Sequence, residues 1–143
     1  AMLGGISGHA GLFGNANDLA KLMQMYLNDG EYGYRRYIAD NVVEKFSKCQ
    51  FCEQGNHRAL GFDRPAKPGE QNSNAAPSAP KESFGHSGFT GTYAWVDPVN
   101  NLVYVFLSNR VNPSRENPKL SKLNTRTNVL QVVYDAMEKS KKQ

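Results

Sequence analysis

A chain of 143 residues with 39% apolar content and a net charge of +4 amounts to one domain or a piece of a larger one, and it is long enough to bury a core. No run approaches the roughly 18 apolar residues of a membrane span, and no charged n-region followed by an apolar stretch marks a signal peptide. The cations are scattered, with no basic stripe interleaved with aromatics, so nucleic acid is not an expected partner.

Residues 4–14 (GGISGHAGLFG) hold five of the thirteen glycines, which marks a loop with unusual backbone angles or close contacts. His9 within it reads as a loop histidine beside glycines. Asn15-Ala16-Asn17-Asp18 carries helix-start chemistry, an Asn cap with an acid three positions on. Leu19, Leu22, Met23, Tyr26 and Leu27 then recur at helical spacing on one core-facing stripe, and Asn28-Asp29-Gly30 is expected to end the helix on a glycine cap. Residues 31–38 read as an irregular extended connection. Asp40 is placed to cap a short helix running to Phe46, with Val42, Val43 and Phe46 turned inward.

Cys49 and Cys52 are the only cysteines. A zinc site needs four ligands and only His57 lies nearby, so no metal is expected. The pair follows a short helix and enters a loop, which argues against a redox motif and for a local disulfide or free thiols. Residues 59–63 (ALGFD) suit a short strand. Residues 64–83, with four prolines and little that is large and apolar, read as a surface loop inside a single domain spanning 1–143.

The strongest strand signal follows. Tyr93 and Trp95 alternate with Thr92, Ala94 and Val96, as in a half-buried strand. Residues 97–101 (DPVNN) carry turn chemistry, and residues 102–107 run apolar without a break, as a strand covered on both faces does. The pair predicts an antiparallel hairpin. Just before it, His86-Ser87-Gly88 and Phe89-Thr90-Gly91 are expected to open a strand with small residues that admit another backbone or a ligand. After a polar loop, Asn117-Pro118 reads as cap and first-turn proline. Leu123, Thr127, Leu130, Tyr134 and Met137 predict one long helix, followed by a basic tail at 139–143. The element order indicates α+β: an antiparallel sheet packed against N- and C-terminal helices.

A serine hydrolase needs a serine activated by a base and facing an oxyanion hole. Gly85-His86-Ser87-Gly88-Phe89 and Gly5-Ile6-Ser7-Gly8-His9 each lack the final glycine of the G-x-S-x-G elbow. Ser78-Ala79-Pro80-Lys81 spells S-x-x-K, but Pro77 and Pro80 deny it the helical turn that brings serine and lysine together. Tyr26-Leu27-Asn28 spells Y-x-N, yet Tyr26 falls on the apolar stripe of the first helix. The chain carries no credible nucleophile.

His86-Ser87-Gly88, with Ser108-Asn109-Arg110 at the far end of the hairpin, resembles the K/H-[ST]-G element of serine β-lactamases and penicillin-binding proteins. Residues 8–20 (GHAGLFGNANDLA) are similar to the G-x-A-G-L segment of the class C-like branch, which includes D-alanyl carboxypeptidases and esterases. The combination looks most like β-lactamase-type domains fused behind family-3 glycoside hydrolases in bacterial envelope proteins. The resemblance implies a partial β-lactamase-like fold, the C-terminal part of a domain without the helical lobe that bears S-x-x-K and Y-x-N. It implies catalytic roles for three residues. His86 helps hold a substrate carboxylate, Ser87 donates a hydroxyl to it, and the Phe89 N–H is one oxyanion donor. Gly88 and Thr90 would line the substrate. Histidine in place of lysine lowers the positive charge at neutral pH, since its reference pKa is about 6.5, which leans towards an esterase or peptidase-like role.

The implied partners are the missing N-terminal part of the domain and a small acyl or peptide-like substrate. The implied compartment is the periplasm or envelope, and no cofactor is implied. On this reading the chain is inactive alone, exposes apolar surface and self-associates. The alternative is a non-catalytic packing or binding module of a larger envelope protein.

Overall fold

The computed structural model describes residues 4–5, 7–9, 11–66 and 74–142. The first helix, α1 (Ala16–Leu27), starts where its cap chemistry puts it: Asn15 stands in extended conformation and its Oδ1 accepts from the Asp18 N–H at 3.0 Å. Met23 is buried, and Leu19, Tyr26 and Leu27 pack around the same cluster, whereas Leu22 is exposed. The helix ends differently from the expected glycine cap. Asp29, at φ 49°, takes the left-handed position and donates to the Tyr26 carbonyl, while Gly30 N–H returns to the Met25 carbonyl at 2.8 Å. Gly30 is required for space: a Cβ there would lie 2.6 Å from the Ile38 carbonyl oxygen.

The connection expected over 31–38 is instead a minimal hairpin, β1 (Glu31–Tyr32) and β2 (Arg35–Arg36). Gly33 and Tyr34 both take positive φ, as a primed two-residue turn needs. The second helix, α2 (Val42–Ser47), is present, but Asn41 rather than Asp40 precedes it and offers no side-chain cap. Asp40 pairs with Arg36 at 3.1 Å, and of the three residues expected inside only Val43 is buried. Cys49 and Cys52 form a disulfide at the entrance to a 3₁₀ turn, Cys52–Gln54. Residues 59–63 form no full strand; Asp63 makes a single antiparallel bridge to Gly85. The stretch 67–73 of the proline-rich segment lies outside the described residues. Beyond it the surface-loop expectation fails in part, because Ala75, Ala76 and Ser83 are buried.

The centre is a three-stranded antiparallel sheet in the order β3 (Phe84–Ser87), β4 (Tyr93–Asp97), β5 (Leu102–Phe106). The register pairs Phe84 with Val96, Ser87 with Tyr93, Tyr93 with Phe106 and Asp97 with Leu102. The expected hairpin is therefore present, but β4 is not half-buried. Tyr93 and Trp95 pack with Leu130 and Tyr134 of the last helix, while Val96 on the opposite face packs with Met23 and Phe84. Both sheet faces are covered, so the alternation along β4 reflects two cores rather than a wet and a dry side. Burying a side chain such as Leu130 stabilises by about 2 kcal/mol.

The long C-terminal helix is interrupted. A short α3 (Lys119–Lys122), with Asn117 Oδ1 accepting from Lys119 N–H, gives way at Asn124 (φ 47°) to α4 (Thr125–Ser140). Leu123, expected on the stripe, is 65% exposed, while Leu130 and Tyr134 hold the core. The fold is α+β with α1 and α4 on opposite faces of the sheet. Among the described residues no helix is long and apolar enough to cross a membrane.

Candidate active-site strand

The tripeptide His86-Ser87-Gly88 does not open a strand, as expected from the small residues after it; it closes β3, and a tight turn follows. Gly88 N–H donates to the Thr92 carbonyl at 2.8 Å and Gly91 N–H returns to the Gly88 carbonyl at 3.0 Å. A Cβ on Gly88 would collide with Thr92 Oγ1, so this position requires glycine for the turn to close. Arg126, reaching from α4, donates to the Gly88 and Thr92 carbonyls at 3.2 and 3.4 Å. Arg110 Nε donates to the Phe89 carbonyl at 2.6 Å, its backbone N–H donates to that of Thr90, and its guanidinium lies 4.4 Å from the centre of the Phe89 ring. Ser108 Oγ donates to the Gly91 carbonyl at 2.9 Å.

The result is an asymmetry of hydrogen-bonding capacity. With the Ser87 carbonyl taken by His86 Nδ1 at 2.8 Å, every carbonyl from Ser87 to Thr92 has a donor. The Phe89 N–H and the Ser87 hydroxyl have no partner among the described residues. A segment whose acceptors are used and whose donors are left over suits an electron-rich oxygen, a carboxylate or a developing oxyanion. Among the described residues the edge of β3 is open there too. The β3-edge bridge of Asp63 is to Gly85, and by strand alternation the Ser87 N–H points the same way as that of Gly85, away from β4.

His86 is exposed but not loose. Arg58 Nη2 lies 3.2 Å from His86 Nε2. A guanidinium only donates, so Nε2 accepts and the ring proton sits on Nδ1, which donates to the Ser87 carbonyl. Arg58 also pairs through Nη1 with Asp63, a buried carboxylate whose other oxygen accepts from Asn74 Nδ2 at 3.0 Å. Thr90 and Phe89 are exposed at the tip of the turn, Phe89 to 69%. The five candidate residues 86–90 thus sit on one short, well-anchored segment.

Sequence reasoning missed the anchors: Arg58, Asp63, Asn74, Arg110 and Arg126. A single acid closing the short apolar run 59–63 was the one local hint, since a carboxylate in such a place needs a partner. The rejected motifs behave as expected. Ser78 and Lys81 stand on a non-helical turn, with Ser78 bonded to Gln131 and Lys81 solvent-exposed. Tyr26 packs edge-on against Phe62. Beside the turn, a groove of about 400 Å³ runs from His9, Leu12 and Phe13 past Leu22 to Thr92 and Leu107. Leu12 and Phe13 on its rim are 71% and 93% exposed. Among the described residues no cluster of three His, Cys, Asp or Glu is placed to hold a metal ion.

An antiparallel sheet between two helices, with a His-Ser-Gly turn at its edge, is consistent with a partial β-lactamase-like fold. The chain belongs to the Beta-lactamase family, whose model matches residues 1–127. It is 36% identical over 125 residues to a protein of Salmonella enteritidis PT4 named "Putative D-alanyl-D-alanine carboxypeptidase". A protein of the same name from Salmonella gallinarum is 37% identical over 123 residues. Each alignment covers 83% of this chain and 27% of the relative, so the chain spans about a quarter of the length of these curated proteins. No solved structure gives a significant match.

Proposed function

We propose that this chain is the C-terminal part of a serine acyl hydrolase, of the β-lactamase, D-alanyl carboxypeptidase or esterase kind, supplying one wall of a site whose serine lies elsewhere in the domain. The observation that carries the reading is the donor surplus at residues 87–89: open hydroxyl and amide groups over a run of engaged carbonyls. Ser87 Oγ donates to a substrate carboxylate or carbonyl, and the Phe89 N–H is one of the two donors of an oxyanion hole. Gly88 lets the turn close, Thr90 lines the substrate at its tip, and His86 flanks Ser87 on the strand edge. A setting behind a family-3 glycoside hydrolase in a bacterial envelope protein is part of the proposal and rests on the resemblance of residues 8–20 and 84–92.

On this reading the groove between Phe13 and Leu107 is covered by the rest of the domain, and the isolated chain self-associates through it. A monomer by light scattering at tens of micromolar would speak against that part. The central test is chemical. The 143-residue chain should turn over neither a chromogenic β-lactam nor a p-nitrophenyl ester, while the upstream gene sequence should contain S-x-x-K and Y-x-N on helical segments. Serine-dependent turnover by this chain alone would overturn the reading. Absence of both motifs upstream would leave a packing or binding module.

A further inference from the structure

We infer that Arg58 is a positioning residue for the His86-Ser87-Gly88 strand, holding the His86 imidazole in one orientation and one tautomer. This rests on the function proposed above only for its catalytic meaning; the geometry stands without it. An exposed imidazole on a strand edge is free to turn about its χ angles and to place its proton on either nitrogen. Here both nitrogens are engaged. Nδ1–H donates to the Ser87 carbonyl at 2.8 Å, and Nε2 accepts from Arg58 Nη2 at 3.2 Å.

Arg58 can do this because it is itself held. Its Nη1 pairs with Asp63, which is buried, accepts from Asn74 on its other oxygen, and exchanges two backbone hydrogen bonds with Gly85 at 2.7 and 3.1 Å. The clamp therefore closes on its own strand: Asp63 grips Gly85, Arg58 grips Asp63, and Arg58 grips His86, one residue on. Backbone Arg58 N–H donates in turn to Asn56 Oδ1 at 3.0 Å, fixing the start of the loop.

Two chemical consequences follow. With Nε2 occupied by a donor that does not deprotonate in proteins, His86 does not take a proton from substrate through that nitrogen while the clamp is closed. The permanent positive charge at the edge of β3 belongs to the guanidinium, which stands against His86 and Asp63. An anionic group docking beside Ser87 meets the Arg58 charge with the His86 ring between them.

The test is nitrogen-15 NMR of the His86 ring in the full 143-residue chain, without substrate, so that a wrong functional reading leaves it untouched. The wild-type ring should show a protonated Nδ1, a bare Nε2 and a through-hydrogen-bond coupling from Nε2 to Arg58. Arg58→Ala should lose the coupling, shift Nε2 towards free imidazole and give a mixture of tautomers. Arg58→Lys, which keeps a donor and a charge, should restore the single Nδ1–H form. A proton on Nε2 in the wild type overturns the inference with no variant needed. So does an Arg58→Ala spectrum whose Nε2 signal stays in place while the amide spectrum reports a folded chain.

Discussion

The two ends of β4 are built from similar materials and treated in opposite ways. At the Asp97 end the hairpin turn is closed around a carboxylate that is 0% exposed. Asp97 Oδ1 accepts from the Val99 and Asn100 N–H groups, and Oδ2 accepts from the Asn100 amide and the Tyr134 hydroxyl, each within 3.1 Å. At the Gly88 end the turn is held as firmly by Arg110, Arg126 and Ser108, yet the Phe89 amide and the Ser87 hydroxyl have no partners among the described residues. One end spends all its polar capacity on stability, as buried polar groups must. The other keeps donors open at the surface, where leaving them free costs little because water satisfies them. The contrast separates a structural turn from a candidate site without appeal to sequence motif.

If that contrast is right, Asp97→Ala has the largest effect. It strips four donors of a buried acceptor and should destabilise by about 3 kcal/mol, read from the urea midpoint. A loss below about 1 kcal/mol would mean that the Asp97 end is not the anchor described. Next comes the Cys49–Cys52 disulfide. Closing so short a loop removes only modest chain entropy, so Cys49→Ser with Cys52→Ser should cost about 2 kcal/mol.

The Tyr134 hydroxyl is pushed above its ordinary range by burial first and by its hydrogen bond to Asp97 second; Tyr93 is raised by burial first, then by the neighbouring Tyr134 and Tyr104 hydroxyls and by Asp63. A folded-state value above the unfolded one means this contribution is whole below about pH 10 and lost as pH climbs beyond it. Stability should therefore fall steeply in alkali. Tyr134→Phe should flatten that fall while costing about 1 kcal/mol at neutral pH.

The smallest effect sharpens the comparison most. Ser87→Ala should change stability by less than about 0.5 kcal/mol, because its hydroxyl has no partner among the described residues. On the function proposed above, the same change made in a protein that also carries the acylating serine should impair substrate use. A large stability loss at Ser87 would move it into the class of Asp97 and remove the distinction.

Local patterns were legible wherever neighbours in sequence are neighbours in space. Asn15 capping α1, the Met23 stripe and the 93–106 hairpin all follow from spacings of two to four residues. The errors share a different cause. The glycine-cap reading failed because Asp29 accepts the left-handed conformation while Gly30 is needed for packing on Ile38. The half-buried strand failed because α1 and α4 both arrive from far along the chain to cover β4. The unbroken C-terminal helix failed because Asn124 turns left-handed, and Leu123 loses its place on the stripe.

What the sequence by itself determined is α1, the 93–106 hairpin and the α+β class, since periodicity and turn chemistry act over a few residues. Only the tertiary structure decided that His86-Ser87-Gly88 ends a strand, that Arg58 and Asp63 clamp it, and that Arg126 holds the turn behind it. Arg58 meets His86 across 28 residues and Arg126 meets Gly88 across 38. A single arginine has many carbonyls and ring nitrogens to choose from, and nothing in local spacing says which; packing of the two helices on opposite faces of the sheet makes the choice.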